Sequence, residues 1–299
     1  MANTIRPRPT AKMIFLTSIA LIAFAANSVL CRMALKEGSI DPGSFTGIRL
    51  LSGAFTLLLL IGISRKGKKI EKKGSWASGL MLFIYAICFS YAYVSLDTGT
   101  GALIAFSTVQ ITMIVYSIVK GHKLSLIETI GILLAFGGFV YLVSPGVNAP
   151  PLFGMLLMIL SGFGWGMYSI YGNNSKNPLE DTAYNFLRSL PLIGLVLLVT
   201  IKKLHLSQEG VILALISGTI TSGLGYTIWY MALNYLNRVE ASVVQLAVPV
   251  IAAAGGILFL AERPNLRLVL STLLIFIGIY LVIRSKGKSK KEDALQEES

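Results

Sequence analysis

Ten long apolar blocks follow one another along the chain, and they restrict its fold more than any other feature of the sequence. A helix needs about 20 mostly apolar residues to cross a membrane, and its backbone polar groups must pair within the segment. The blocks therefore predict an all-α polytopic membrane protein with ten transmembrane helices. They span residues 13–35, 45–63, 76–94, 100–119, 126–143, 151–172, 180–201, 209–231, 239–260 and 266–284.

The composition agrees with this prediction. Of the 299 residues, 54% are hydrophobic and 13% are charged, whereas a soluble domain carries about 25% charged residues. These proportions exclude a disordered chain, a secreted disulfide framework and an ordinary soluble enzyme. The segments between the blocks are short, so they leave no room for a separate soluble domain.

The basic residues predict the orientation of the helices. If the N-terminus is cytoplasmic, 18 of the 26 Lys and Arg residues lie in cytoplasmic segments and five lie in external loops. The positive-inside rule then places both termini in the cytoplasm, as in a multi-pass protein of the inner (cytoplasmic) membrane. We therefore interpret the net charge of +12 as a record of orientation, not as a surface for nucleic acid.

The chain also resembles itself at a shift of 139–141 residues. Phe45-x-x-x-Arg49 aligns with Tyr184-x-x-x-Arg188, and Phe24 aligns with Trp165. Each unit holds five helices, so the second unit must lie upside down relative to the first, as in many secondary transporters. The predicted organisation is an N-tail (1–12), a first repeat (13–143), a second repeat (151–284) and a charged C-tail (285–299).

These features resemble the EamA-like branch of the drug/metabolite transporter superfamily. The resemblance rests on the five-plus-five plan, on Trp165-Gly166 in helix 6, on the aromatic-x-x-x-Arg motifs, and on Pro249 with Ala261-Glu262-Arg263 in helix 9. The first repeat departs from the family pattern, with Phe24-Ala25 in place of Trp-Gly. The resemblance implies a central cavity between helices 1, 3, 4, 6, 8 and 9, and a homodimer contact through helices 5 and 10.

Polar and aromatic stripes on these helices are the candidates for substrate binding, because polar groups in a membrane span usually face the bundle interior or a cavity. Helix 8, for example, carries Thr219, Ser222, Tyr226, Trp229 and Tyr230 within one arc at α-helical spacing. The alternative is close helix packing by Ser, Thr and Gly. The predicted substrate-binding residues are Asn27, Ser28, Tyr85, Tyr93, Thr108, Trp165, Tyr168, Tyr226, Trp229 and Gln245.

Five further residues are predicted to have structural or gating roles: Arg49, Arg188, Glu240, Pro249 and Glu262. Burying an arginine in a membrane is costly, so Arg49 and Arg188 need partners or water. They either support neighbouring helix ends or clamp a carboxylate or phosphate. No acidic residue lies in the middle of a predicted span, and the sequence contains no metal or nucleotide motif with its full set of ligands, so we predict no cofactor.

The favoured function is secondary transport of a small organic metabolite by alternating access, in the direction of export. An aromatic cavity with few fixed charges suits amino acids and related zwitterions better than phosphorylated solutes. Two alternatives remain at this point: a non-transporting membrane interaction protein and a membrane enzyme that acts on lipids. The enzyme would need clustered carboxylates or His/Asp ligands at one membrane face, and the sequence shows none.

Overall fold

The computed structural model describes residues 11–65, 74–121, 125–144, 146, 149–172, 175, 177–233, 235, 244–245 and 247–297. Every long element within these residues is a helix. The eighth helix, α8, consists of three consecutive pieces: Gln208–Ile216, a π-helical segment Ser217–Leu224, and Gly225–Leu233. The others are α1 (Ala11–Lys36), α2 (Pro42–Arg65), α3 (Trp76–Tyr93), α4 (Thr98–Val119), α5 (Leu126–Val143), α6 (Leu152–Gly172), α7 (Pro178–Val199), α9 (Ala247–Leu260) and α10 (Leu266–Glu297).

The helices correspond to the ten apolar blocks. Within the described part of the chain, eight helices are long and apolar enough to cross a membrane. Two shorter apolar helices, Ala247–Leu260 and Leu266–Leu281, correspond to the ninth and tenth blocks. The start of the ninth block falls partly outside the described residues. Helix α10 continues to Glu297, so most of the predicted C-tail prolongs the last helix.

The distribution of side chains is that of a protein surrounded by lipid. Large apolar side chains such as Val119, Val199 and Leu258 are 77–86% exposed, whereas Ser90, Ser161 and other small polar residues are completely buried. Small residues between helices let their backbones approach closely, which is the main source of packing energy in a membrane.

Contacts between helix ends and loops define one face of the bundle. Ile40 forms a β-bridge there with Leu206. Arg267 donates to the carbonyl of Ser144 (2.5 Å), and Lys36 donates to the carbonyl of Leu260 (3.3 Å). We call it the Glu262 face, since Glu262 lies there too. It holds the five loops that the sequence predicts to be external.

The helix contacts recur between the two halves. In the repeat, α1, α2 and α3 correspond to α6, α7 and α8. Helix α3 packs against α6 and α7, and its counterpart α8 packs against α1 and α2. The recurrence extends to single residues: Gly218 lies against the backbone of Arg49, and Gly79, 139 residues earlier, lies against Arg188. Helices α5 and α10 pack chiefly against each other at the periphery.

Candidate functional site

A small cavity lies inside the helix bundle. Helices α1, α3, α4, α6 and α8 supply its walls. The described part of α9 supplies none, although the family resemblance implied that it would. The lining residues are Phe24, Asn27, Ser28, Tyr85, Phe89, Ala105, Phe106, Val109, Gly162, Trp165, Thr221 and Tyr226.

Aromatic rings from both halves of the chain interlock around this cavity. Phe24 meets the rings of Trp165, Tyr226 and Trp229 edge-on, with centroids 6.3, 5.8 and 5.6 Å away. Trp165 also lies 4.8 Å from Tyr85 and 5.2 Å from Tyr226, between centroids. Such a wall offers dispersion contacts to apolar groups and the faces of π-systems to cations.

Asn27 organises the polar end of the cavity. Its Oδ1 accepts hydrogen bonds from the hydroxyls of Ser217 (2.5 Å) and Thr221 (3.3 Å), and its Nδ2 donates to the hydroxyl of Tyr85 (3.4 Å). Because Oδ1 accepts from Ser217 and one N–H of Nδ2 is donated to Tyr85, the side chain of Asn27 has one further N–H to offer to the cavity.

The π-helical segment of α8 turns several polar side chains inward together. In an α-helix, Ser217 and Ser222 would lie on different sides, whereas i→i+5 bonding brings residues five apart onto one side. Ser217 and Thr221 thus reach Asn27, while Ser222 accepts a hydrogen bond from Nε of Arg49 (3.1 Å). Thr219 is half-buried and donates to the carbonyl of Leu215 (2.7 Å), so the α-helical arc predicted from the sequence is wrong at this residue.

Arg49 lies directly behind the polar end. It is 1% exposed, and its Nη2 donates to the hydroxyl of Tyr85 (2.9 Å). Its Cζ lies 5.2 Å from the ring centroid of Tyr85 and 5.5 Å from that of Phe89. An arginine in the middle of a span costs about 2.5–3.5 kcal/mol or more, and hydrogen bonds to a charged group offset about 1.5–3 kcal/mol each.

A second polar cluster closes the Glu262 face. Arg32 donates to the carbonyls of Tyr93 (2.8 Å) and Val94 (2.9 Å) and forms ion pairs with Asp97 (3.4 Å) and Glu262 (3.5 Å).

The end of α9 aims Glu262 at this cluster. The residue before it, Ala261, adopts φ of 52°, and the N–H of Glu262 donates to the carbonyl of Gly256 (3.1 Å). Alanine thus holds the left-handed backbone conformation that glycine usually takes at a helix end. It brings the carboxylate of Glu262 within hydrogen-bonding distance of the backbone N–H of Thr98 (2.9 and 3.0 Å) and of its hydroxyl (3.0 Å).

Comparison with known families identifies this architecture. The model of the EamA-like transporter family matches residues 11–144 and, a second time, residues 152–284. The chain belongs to the EamA-like transporter family. It is therefore a multi-pass membrane protein of the drug/metabolite transporter superfamily.

Individual relatives agree with the family assignment. The chain is 44% identical to an uncharacterized protein of Pseudomonas aeruginosa, over 96% of this chain and 100% of that one. It is 22% identical to the uncharacterized transporter YoaV of Bacillus subtilis, over 83% and 90%. A protein of Escherichia coli named "Probable amino-acid metabolite efflux pump" is 20% identical over 89% and 93%. A solved crystal structure shares the fold, with a TM-score of 0.62 at 19% identity over 89% of this chain and 98% of that chain.

Within this EamA-like fold, five of the ten residues predicted to bind substrate line the cavity: Asn27, Ser28, Tyr85, Trp165 and Tyr226. Trp229 and Tyr168 lie one layer behind, where Trp229 contacts the ring of Phe24 and Tyr168 contacts that of Trp165 (5.6 Å between centroids).

The other three candidates lie elsewhere in the bundle. The hydroxyl of Tyr93 donates to the carbonyl of Thr98 (3.2 Å). Thr108 packs where α4 crosses Gly162 of α6, with its hydroxyl bonded to the carbonyl of Ile104 (2.8 Å). Gln245 is half-buried and precedes the first residue of α9, Ala247.

Four of the five residues predicted to be structural or gating can be located. Arg49 joins α2 to α3 and α8 through Tyr85 and Ser222, and Glu262 joins the α9–α10 loop to the start of α4. Pro249 is buried in the first turn of α9. Arg188 is half-buried near the opposite face, beside the ring of Tyr184. Glu240 falls outside the described residues.

Sequence reasoning missed several lining residues. Phe106 and Val109 on α4 carry no polar group that would mark them, and Gly162 has no side chain. Phe24 and Phe89 belong to stripes visible in the sequence, so the aromatic pattern itself could have added them. Thr221 required knowledge of the π-helical segment, which has no simple sequence signal.

Proposed function

We propose that this protein is a secondary transporter that moves amino acids or related zwitterions across the cytoplasmic membrane by alternating access, in the direction of export. The observation that carries the proposal is the cavity, which combines an aromatic wall with one polar end inside a transporter fold. Pockets with mostly apolar walls and a few convergent polar groups are typical of sites for small molecules.

The lining of the cavity supports the substrate class. Among the described residues, no charged side chain lines it, which favours solutes with little net charge over phosphorylated ones. Trp165, Tyr226 and Phe24 can stabilise an ammonium group through cation–π contacts. The name of the related E. coli protein, a probable efflux pump for amino-acid metabolites, points in the same direction.

The recurrence of helix contacts supports the mechanism. Two five-helix units of inverted topology have two equivalent packings, one open to each side, and exchange between them exposes a shared site alternately. Each half contributes rings to the cavity, so movement of one unit against the other would remodel it. The Arg32–Glu262 cluster connects the two units at the Glu262 face, so it would have to separate when that face opens.

The test is transport by the purified protein in proteoliposomes. A panel of labelled amino acids is loaded inside, and substrate-dependent flux is measured for the wild type and for two tryptophan variants. Trp165→Ala removes a cavity wall, so we expect it to abolish flux. Trp76→Ala changes a tryptophan that is 64% exposed, and we expect normal flux with equal reconstitution. Absence of flux for every amino acid in the panel would overturn the proposal.

A further inference from the structure

We propose that the Asn27–Tyr85 end of the cavity, backed by the charge of Arg49, binds the carboxylate of the substrate. This carboxylate subsite is defined by Asn27, Tyr85 and Arg49. The inference rests on the proposed function, because it concerns a substrate that enters this cavity. It goes further, since it makes the carboxylate the required group of the substrate and leaves the ammonium dispensable.

Arg49 holds an uncompensated positive charge close to the cavity. Arg49 is almost fully buried and forms no ion pair with the described residues. Its Nη1 has no hydrogen-bond partner among them. The guanidinium lies against the rings of Tyr85 and Phe89, and both rings line the cavity. The positive charge is therefore one ring away from the cavity, in surroundings where charges are poorly screened.

The hydrogen bonds at the polar end of the cavity run towards the hydroxyl oxygen of Tyr85. The hydroxyl oxygen of Tyr85 accepts from both Arg49 and Asn27. A hydroxyl that accepts from a cationic donor becomes a stronger donor itself, because hydrogen bonds in a chain polarise one another. The amide of Asn27 also has a second N–H beside the one donated to Tyr85, and its oxygen accepts from the hydroxyl of Ser217. This end of the cavity thus offers donors, which suit the oxygens of a carboxylate.

The rest of the cavity is mainly apolar. Apart from the hydroxyls of Ser28 and Tyr226, it is a surface without polar acceptors, to which Phe24, Phe106, Val109 and Trp165 contribute. An ammonium group there would gain mainly cation–π contacts, whereas a carboxylate at the other end would gain charged hydrogen bonds. The carboxylate therefore provides the orientation, and the side chain of the substrate lies along the aromatic wall.

The experiment compares three probes of nearly equal shape on the purified full-length protein in detergent. They are phenylalanine, phenylalaninamide, which lacks the carboxylate, and 3-phenylpropanoate, which lacks the ammonium. Affinities are obtained from the concentration dependence of the melting temperature, since a ligand that binds the folded state stabilises it. We expect both carboxylates to bind at least about tenfold more tightly than the amide, the loss expected for about 1.4 kcal/mol. Equal binding of the amide, or no binding by any probe, would overturn the assignment.

Variants then test the part played by Arg49. In Arg49→Gln the acid-to-amide affinity ratio should fall towards one, whereas Arg49→Lys, which keeps the charge, should retain part of it. Arg188→Gln removes an arginine outside the cavity and should leave the ratio unchanged. The ratio compares two probes on one folded variant, so a merely structural role of Arg49 would not change it. If Arg49→Gln does not fold, Tyr85→Phe is the test: it should also reduce the ratio, and an unchanged ratio would contradict the subsite.

The two proposals can fail separately. If no amino acid is transported but the acid-to-amide ratio depends on Arg49, the proposed function is wrong and the carboxylate subsite stands. If amino acids are transported and the amide binds as well as the acid, the subsite is wrong and the function stands.

Discussion

Arg49 and Arg188 occupy equivalent positions in the two halves of the chain, yet their surroundings differ. Each lies on the second helix of its half. Gly218 packs against Arg49, and Gly79, 139 residues earlier, packs against Arg188. Arg49 is completely buried beside the cavity. Arg188 is half-buried near the face opposite Glu262, with its Cζ 5.8 Å from the ring centroid of Tyr184.

The difference lies in the polar partners. Arg49 donates to Tyr85 and Ser222, and the equivalent positions of the other half hold Leu224 and Phe83. Neither can accept a hydrogen bond, so the second half cannot hold an arginine in the same way. The two halves thus share the helix crossing, but only the Arg49 crossing has hydrogen-bond acceptors at these two positions. A transporter with two similar halves can in this way carry a single, oriented substrate site.

The largest expected effect comes from replacing each arginine with methionine. Arg49→Met should reduce transport about 100-fold or more, the loss of interactions worth about 3 kcal/mol. Its folded state should lose some stability, because the buried hydroxyls of Tyr85 and Ser222 lose the donor that Arg49 supplies, so flux is compared at equal reconstitution. Arg188→Met should keep most of the flux. Proteoliposome flux and melting temperature, measured on both variants, decide this, and equal loss in both would remove the functional distinction between the halves.

An intermediate effect is expected from adding a methyl group at each glycine. In Gly218→Ala the new Cβ would collide with the hydroxyl of Ser52 and the carbonyl of Arg49, whereas in Gly79→Ala it would approach Cβ of Arg188 at 2.8 Å. Overpacking costs about 1–3 kcal/mol, and a backbone oxygen yields less than a side chain. Gly218→Ala should therefore lower the melting temperature more than Gly79→Ala. The reverse order would mean that the Arg188 crossing is the more tightly packed one.

The smallest effect is expected at the Arg188 end. Asn185 accepts a hydrogen bond from the backbone N–H of Ser75 (3.0 Å) at the start of α3. Asn185→Ala should destabilise the protein by about 0.5–1.5 kcal/mol, seen as a slightly lower melting temperature, with an unchanged acid-to-amide ratio. A change in that ratio would show that the second half also contributes to recognition.

The sequence predicted the all-helical membrane fold, because length and hydropathy determine what can cross a membrane. Eight of the described helices are long and apolar enough to do so, and two shorter ones correspond to the ninth and tenth blocks. The bounds of the first eight helices differ from the predicted blocks by a few residues, and the start of the ninth block lies partly outside the described residues. The exception is the last helix, which continues into charged residues up to Glu297. Hydropathy does not mark such an end, because a helix can continue through charged residues beyond its apolar segment.

The site was predicted only in part. Stripes of polar and aromatic residues led to Asn27, Tyr85 and Trp165, because such side chains in a membrane helix face inward. They could not separate a ring that lines the cavity from one that lies behind it, such as Tyr168 or Trp229. Nor could they reveal the partners of Arg49, since Tyr85 and Ser222 reach it only through tertiary packing and a local change of helix type.

The hydrogen bond between Arg49 and Ser222 also has a consequence for biosynthesis. The two residues are 173 positions apart, so at ribosomal rates of about 5–20 residues per second Ser222 is made about 9–35 seconds after Arg49. During that interval the nascent α2 must hold a charged side chain without its final partner. Tyr85 is made only 36 residues after Arg49. Early pairing with α3 therefore gives the growing chain a way to keep its second helix in the bilayer until the other half arrives.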